Sequence, residues 1–410
     1  MPPTDTPGDT PADKPADKPA DKPADKNDAK PGAPLADRVD VVVIGAGPAG
    51  LMAARALRER GVDFAVIDKK SCIGLPLACG EGVLLHEIEG LGLDFDLHEY
   101  GTLSRRQVFV YGALQKRFSI DTFELNRPAF ERALAEPVLP QLRLDTRLLD
   151  VTETPEAVFV KTSDGTIRAR MAILAKGPDD KLPRKLGMTS RRHEMVVAYG
   201  GRYEGCDLPD LTWRIDLLDG FGTLNYFWIF PYTATKANVG LGYLNRPGLG
   251  INLRREFERV AATQPSLRGA RMTLEVGGSI PVSGALDRTF TDRLLACGDF
   301  AGHVGALGDG IYYAMAGGKL AGEIAAGAVK RGEFGRDALR VYETRWRAQF
   351  GGPLKAGIAF RNILDRAVRA GVALALVRLI PAPLGPAILF DGKLRRTLGL
   401  VDRLLPRLPV

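Results

Sequence analysis

The chain has 410 residues, 45% of them apolar and 26% charged, with a net charge of +7. That composition excludes a disordered, collagenous or disulfide-scaffold protein for the chain as a whole, and the length suits two or three domains around a sizeable core. Cys72, Cys79, Cys206 and Cys297 form no C-x-x-C pair, and the four histidines show no metal-ligand spacing, so no metal site is expected.

Residues 1–37 carry eight Asp against five Lys and contain four copies of Pro-Ala-Asp-Lys. Proline at every fourth residue blocks helix and ladder alike, and a disordered tail is expected there. The tail has no apolar signal segment, and no run of about 18 apolar residues follows anywhere, which points to a cytoplasmic chain that spans no membrane.

Order begins at Arg38. The apolar run Val39 to Ile44 reads as a parallel strand buried on both faces. Gly45-Ala46-Gly47-Pro48-Ala49-Gly50 follows, then a helix from Leu51 to Arg60, then a strand from Phe64 to Ile67 ending at Asp68. A loop rich in Gly and Pro spans 71–82, two strands fall within 106–120, and Asn126 is placed to cap a helix over 127–136. Residues 147–174 read as a three-stranded meander, and strands dominate from His193 to Tyr243. A helix near 252–263, a strand over 271–280, a short buried strand at Leu294 to Cys297 and a long helix from about Gly310 complete the pattern, with further helix from 336 onward.

Strand–helix units interrupted by antiparallel strands predict an α/β fold. A Rossmann-like domain (38–78, 121–185 and 285–335) would carry an inserted antiparallel-sheet domain for substrate (79–120 and 186–284). A helical C-terminal region (336–410) would follow.

The G-x-G-x-x-G run has its full context: buried strand before, helix after, and an acid 18 residues past the last glycine. Gly45 permits the tight turn, Gly47 lets backbone approach a pyrophosphate, and Gly50 allows close helix–strand packing. Pro48 and Ala49 lead into the helix, whose N-terminus offers its positive end to phosphate, and Asp68 can accept both hydroxyls of an adenosine ribose while disfavouring a 2′-phosphate. The alternative is a Gly-rich turn with no ligand.

Far down the chain, Leu294 to Asp299 ends a strand at the pair Gly298-Asp299, and a helix opens at Gly308-Asp309-Gly310-Ile311. This resembles the second FAD-binding motif of para-hydroxybenzoate-hydroxylase-like flavoproteins. The resemblance implies that Asp299 binds the ribityl chain, that the helix at Gly310 and Ile311 faces the flavin, and that Arg127 lies beside the cofactor. As residues alone, Asp299 could equally cap a helix, and Arg127 could be a surface arginine.

Three segments narrow the family: Gly74-Leu75-Pro76-Leu77-Ala78-Cys79-Gly80-Glu81-Gly82; Tyr226-Phe227-Trp228-Ile229-Phe230-Pro231 with Ala237 to Gly242; and Gly277 to Val282. Their order and spacing resemble the geranylgeranyl reductase family over roughly residues 38–330. The resemblance implies FAD, an external reductant such as NAD(P)H or ferredoxin, and saturation of prenyl double bonds by hydride from reduced flavin. It makes Cys79 the candidate active-site thiol, donating a proton or arranging its delivery.

On a strand, Tyr226, Trp228 and Phe230 point to one face, where aromatic rings can line an apolar tunnel and favour a transient cation. An ordinary sheet core is the alternative for that stripe, and a buried small hydrophobe the alternative for Cys79. The chain departs from the family pattern at Asp309, either a helix cap or a charge opposing reduced flavin, at Tyr232 in place of Lys, and at Lys176-Gly177-Pro178-Asp179-Asp180.

Residues 354–410 hold ten Lys or Arg against three Asp, and Leu394, Leu398, Val401 and Leu405 share one helical face. Such a basic amphipathic end suits peripheral contact with the inner face of a membrane, or packing over the substrate domain with solvated arginines. No nucleic-acid partner is expected. An aromatic monooxygenase of the same fold and a non-catalytic prenyl-lipid-binding flavoprotein remain the competing functions.

Overall fold

The computed structural model describes residues 38–379. The Pro-Ala-Asp-Lys tail and the apolar face of 394–405 lie outside the described residues.

Two seven-stranded sheets and one of three strands organise the described residues. In the first sheet, Leu142–Arg143, Phe64–Ile67, Arg38–Ile44, Gly165–Leu174 and Leu294–Ala296 form the parallel core. Val41, Val42 and Val43 are fully buried, because layers of structure cover both faces. The expected meander is present as Leu148–Glu153, Val158–Thr162 and Gly165–Leu174. Its last strand pairs antiparallel with Val158–Thr162 and then runs on into the parallel core beside Arg38–Ile44.

Helices Pro48–Glu59 and Ile311–Arg331 pack together on this sheet almost backbone to backbone. A Cβ on Gly318 would sit 2.0 Å from the Ala49 carbonyl oxygen. This contact ties the first fingerprint to the second cluster, more than 250 residues later in the chain.

The second sheet runs Arg271–Pro281, Met195–Glu204, Lys236–Leu244, Asn225–Thr233, Trp213–Leu217, Gln107–Tyr111 and Leu114–Phe118. The strand period of two decides which residues go where. Phe227 and Ile229 pack with Val239, Leu241 and Phe257 under helix Leu253–Ala261. Tyr226, Trp228 and Phe230 therefore face the opposite side. There Trp228 is in register with Gly240, and Gly240 with Gly200. A Cβ on Gly240 would lie 2.1 Å from the indole, and one on Gly200 would lie 2.1 Å from the Val239 oxygen. The bare Gly240 makes room for the indole, and the bare Gly200 lets its own strand close on Gly240.

Two local expectations need correction. Thr122–Leu125 packs Phe123 and Leu125 into the same core as Val41 and Ala49. Its backbone pairs with Gly82–Leu84 and Gly101–Ser104 in the small third sheet, so the boundary placed at residue 121 cuts a hydrogen-bonded unit. Asn126 does precede helix Arg127–Ala135, but its side chain makes no cap bond. Its Oδ1 instead accepts from Arg202 at 3.2 Å.

From 336 to 379 the chain is helical: Arg336–Trp346, a π turn at Arg347–Gly351, Gly352–Arg369 and Ala373–Leu379. Leu364, Ala367, Ala373 and Val377 pack with Leu217, Leu224 and Val282 at the rim of the second sheet. Asp365, nearly fully buried, fixes that docking by accepting the Leu224 amide at 2.9 Å and the Thr223 hydroxyl at 3.1 Å. Among the described residues no helix is long and apolar enough to cross a membrane, and no cluster of metal-ligating side chains is found.

Candidate active site

The first fingerprint folds into a cradle. Gly45 takes φ +110°, and a Cβ there would lie 2.3 Å from the Ala175 oxygen. Gly50 packs against the same turn, with its would-be Cβ 1.8 Å from the Gly45 oxygen. Gly47 has the opposite character: a Cβ would meet nothing within 4 Å, so open space lies over the helix N-terminus. Asp68 holds the turn by accepting the Ala46 amide at 2.6 Å and the Lys70 amide at 2.9 Å.

Gly45, Gly47, Pro48, Ala49, Asp68, Arg127, Gly298, Asp299, Gly310 and Ile311 line one cavity. Every residue assigned to cofactor on sequence is therefore brought together except Gly50, which packs behind the wall. Burial raises the Asp299 carboxyl, against the opposing charge of Arg127. The Arg127 guanidinium pairs with Glu131, yet its Nε is buried with no partner. An orphaned donor, a paired carboxylate acceptor and an open helix N-terminus in one cavity match the ribose, pyrophosphate and ribityl groups of FAD. The residues fit that cofactor. Asp309 does not cap the helix that follows; the N-cap is Gly310, with no side-chain bond.

A second, apolar cavity adjoins the first. Cys79, Tyr226, Trp228 and Phe230 all line it. The rings form a continuous wall: Tyr226 to Trp228 at 5.8 Å and Trp228 to Phe230 at 6.2 Å between centroids. Trp213, which the sequence reading did not single out, completes it by stacking on Phe230 at 4.0 Å. The loop carrying Cys79 lies across both indoles. A Cβ on Gly82 would be 2.3 Å from Trp213, and one on Gly80 would be 3.5 Å from Trp228. Ala78, Cys79, Gly278, Ile280, Gly308, Gly310 and Ile311 line both cavities, so the two meet at the thiol and at the N-terminus of helix Ile311–Arg331.

Cys79 Sγ accepts the Glu81 amide at 3.1 Å. Burial raises its pKa, with the charge of Arg127 opposing. The group therefore rests as a thiol that holds a proton. Cys297 is fully buried and burial lifts it to about 12, while Cys72 sits in a bridge with Leu75 and lines neither cavity.

A buried polar network behind the thiol was missed on sequence. Glu81, fully buried, accepts from Arg202 Nε at 3.0 Å and Nη2 at 2.6 Å, from Asn238 at 3.1 Å, from the Arg127 amide at 3.0 Å, and from the Tyr232 hydroxyl. Asn238 also donates to the Cys79 carbonyl at 3.2 Å and accepts the Trp228 indole N–H at 2.9 Å. Tyr232, one of the departures from the family pattern, is thus a ligand of Glu81. The available signal was an acid between two glycines in the thiol loop. Its backbone takes φ +64°, which a non-glycine residue adopts only when its surroundings hold it there.

Residues 38–182 match the family described as FAD binding domain. The chain is 32% identical over 345 residues to digeranylgeranylglycerophospholipid reductase 2 of Methanopyrus kandleri, covering 80% of this chain and 86% of that one. It is 29% identical to digeranylgeranylglycerophospholipid reductase of Methanocaldococcus jannaschii, covering 81% and 88%. Among solved structures, a geranylgeranyl bacteriochlorophyll reductase-like protein from Thermoplasma acidophilum superimposes with a TM-score of 0.73 at 20% identity, covering 90% of this chain and 99% of that one. A flavin-dependent brominase shares the architecture with a TM-score of 0.67 at 18% identity, covering 90% and 100%. The structural likenesses show the fold alone, whereas the first relative is similar in sequence over most of both chains, and on that ground the protein belongs to the geranylgeranyl reductase family of FAD-dependent oxidoreductases.

Proposed function

We propose that this protein saturates carbon–carbon double bonds in the polyprenyl chain of a lipid of the digeranylgeranylglycerophospholipid type. The observation that carries this reading is the junction of the two cavities. The cradle that fits FAD opens onto an aromatic-walled apolar space, with one thiol at the meeting point. When bound, FAD supplies the hydride.

The chain's own residues do the rest. Gly47, Pro48 and Ala49 would hold the pyrophosphate, Asp68 the ribose, and Asp299 and Arg127 the ribityl chain, with Gly310 and Ile311 on the flavin side. Tyr226, Trp228, Phe230 and Trp213 hold the alkyl chain and exclude water. An isolated trisubstituted alkene accepts hydride poorly, so its protonation to a tertiary cation is the enabling step. Cys79 S–H delivers that proton to the alkene carbon. The aromatic faces then favour the cation by roughly 1–2 kcal/mol when desolvated.

In this reading the first sheet and its helices bind cofactor and the second sheet binds substrate. An external donor of the NAD(P)H or ferredoxin kind would supply the reducing electrons. The C-terminal helices give peripheral contact with the inner face of a membrane: exposed Ile363, Val372 and Leu379 lie among Arg366, Arg369 and Arg378.

The test is anaerobic photoreduction of the purified flavoprotein followed by addition of the unsaturated lipid. A mass gain of two hydrogens per bond is expected. A hydroxylated product under oxygen would instead identify a monooxygenase, and tight lipid binding without turnover would identify a binding protein.

A further inference from the structure

Between Cys79 and strand Gly82–Leu84 the thiol loop has only Gly80 and Glu81, and only Glu81 brings a side chain. Glycine on either side of it leaves the loop free to sample many backbone conformations. Glu81 nonetheless takes φ +64°, where a non-glycine residue stores strain. A third glycine would adopt that backbone freely, so the strain is accepted for something the side chain supplies.

What it supplies is an anchor. The carboxylate is 0% exposed and accepts a forked pair of bonds from Arg202, at 3.0 Å and 2.6 Å. Asn238 donates to it at 3.1 Å, the Arg127 amide at 3.0 Å, and the Tyr232 hydroxyl closes the set. The Leu125 amide holds the Glu81 carbonyl at 3.0 Å. These partners come from strands Met195–Glu204, Asn225–Thr233, Lys236–Leu244 and Thr122–Leu125 and from the start of helix Arg127–Ala135. With side chain and carbonyl fixed, the Glu81 N–H is fixed as well, and it meets Cys79 Sγ at 3.1 Å. Asn238 grips the same residue from its other end, donating to the Cys79 carbonyl at 3.2 Å.

We propose that Glu81 is the positioning residue of the thiol, its buried carboxylate holding its own amide N–H on Cys79 Sγ. The inference rests on the reading of Cys79 as proton donor. An N–H on one side of the sulfur excludes the S–H hydrogen from that side and leaves it the side where the two cavities meet, both of which Cys79 lines. As the S–H bond breaks, the alkene π pair forms the new C–H bond and the electron pair of the old bond stays on sulfur. The N–H···S bond then becomes charge-assisted and favours that state over the resting one. Burial raises the Cys79 pKa, the charge of Arg127 and the Glu81 amide oppose it, and the Glu81 charge adds to it. The carboxylate thus serves the thiol through its hold on the backbone and not through its charge, which Arg202 offsets.

The experiment uses the full-length, FAD-loaded protein. The infrared S–H stretch of Cys79, identified by its loss in Cys79→Ser, is recorded beside kcat and KM for the unsaturated lipid. Wild type should show one narrow S–H band from this residue. Glu81→Gly keeps the amide and tolerates the φ +64° backbone but loses the anchor. It should broaden and shift the band, lower kcat about a hundredfold, and leave KM and flavin content unchanged to within about twofold. Glu81→Gly combined with Arg202→Met removes both charges together, leaves no buried ion alone, and should behave in the same way.

An unchanged S–H band or a wild-type kcat in the Glu81 variants overturns the proposal, as does a loss confined to KM. If Glu81→Gly fails to fold with Arg202 left unpaired, the double variant decides, and a broad band in wild type overturns the proposal without any variant. Full turnover in Cys79→Ser would overturn the donor reading, and with it the catalytic purpose of the hold. The band tells the two failures apart, because its response to Glu81→Gly is read without turnover.

Discussion

The indole N–H of Trp228 donates to Oδ1 of Asn238 at 2.9 Å, and the amide of that same asparagine donates to Glu81 at 3.1 Å. One side chain thus fixes the aromatic wall to the buried acid. Asn238→Leu is expected to leave the indole N–H unsatisfied and to remove a donor from Glu81, lowering unfolding free energy by about 2 kcal/mol. Denaturant midpoints at constant slope measure this, and an unchanged midpoint would show that the bridge contributes nothing.

Cys79→Ser changes one atom at the junction of the two cavities. It should retain flavin and lose about a hundredfold in saturation rate, since a serine hydroxyl is a far weaker acid than a thiol. Equal rates for variant and wild type would remove the thiol from the chemistry.

Asp68→Ala removes the acceptor that holds the Ala46 amide and lines the first cavity, where it is proposed to meet the ribose. Flavin affinity should fall by about ten- to a hundredfold, the weight of one or two charge-assisted hydrogen bonds. Flavin content after gel filtration reads this directly, and a fully loaded variant would refute the ribose assignment.

His303 is fully buried and stacks on Trp346 with centroids 3.8 Å apart. Burial lowers its imidazole to about 3. Unfolded histidine titrates near about 6.5, so between these values the unfolded chain binds a proton that the folded chain refuses. Its contribution is complete above about pH 6.5 and is lost as pH falls toward the folded value, at up to about 1.4 kcal/mol per pH unit. His303→Phe keeps the stack and abolishes the titration. Denaturation from neutral pH to about pH 5 should give a shallower slope for the variant, and identical slopes would exclude His303 as the source.

The cofactor cradle is legible in the sequence because it is local. Strand, turn, helix and Asp68 fall within one short unit, with Gly50 packed against Gly45 and open space left over Gly47. Tyr226, Trp228 and Phe230 are legible through the strand period. The polar network is not, because pairings between distant strands assemble it. Arg202 lies 121 residues from Glu81 and Tyr232 lies 151 residues from it, and no spacing rule joins them. Trp213 reaches the wall because its strand pairs antiparallel with Asn225–Thr233, Arg214 opposite Ile229 and Ile215 opposite Trp228, a register that local pattern does not reveal. Asn126 has the right residue type for a cap, but its carbonyl oxygen is claimed by Arg202. Local propensity loses there to a tertiary partner.

The seat of Trp228 on Gly240 has an evolutionary corollary. Main chain, not side chains, supports the ring, so no neighbouring rotamer is available to absorb a methyl group added beneath it. Variation in the height of this plate is closed off from below, and natural or laboratory diversification of the tunnel must proceed from its open side.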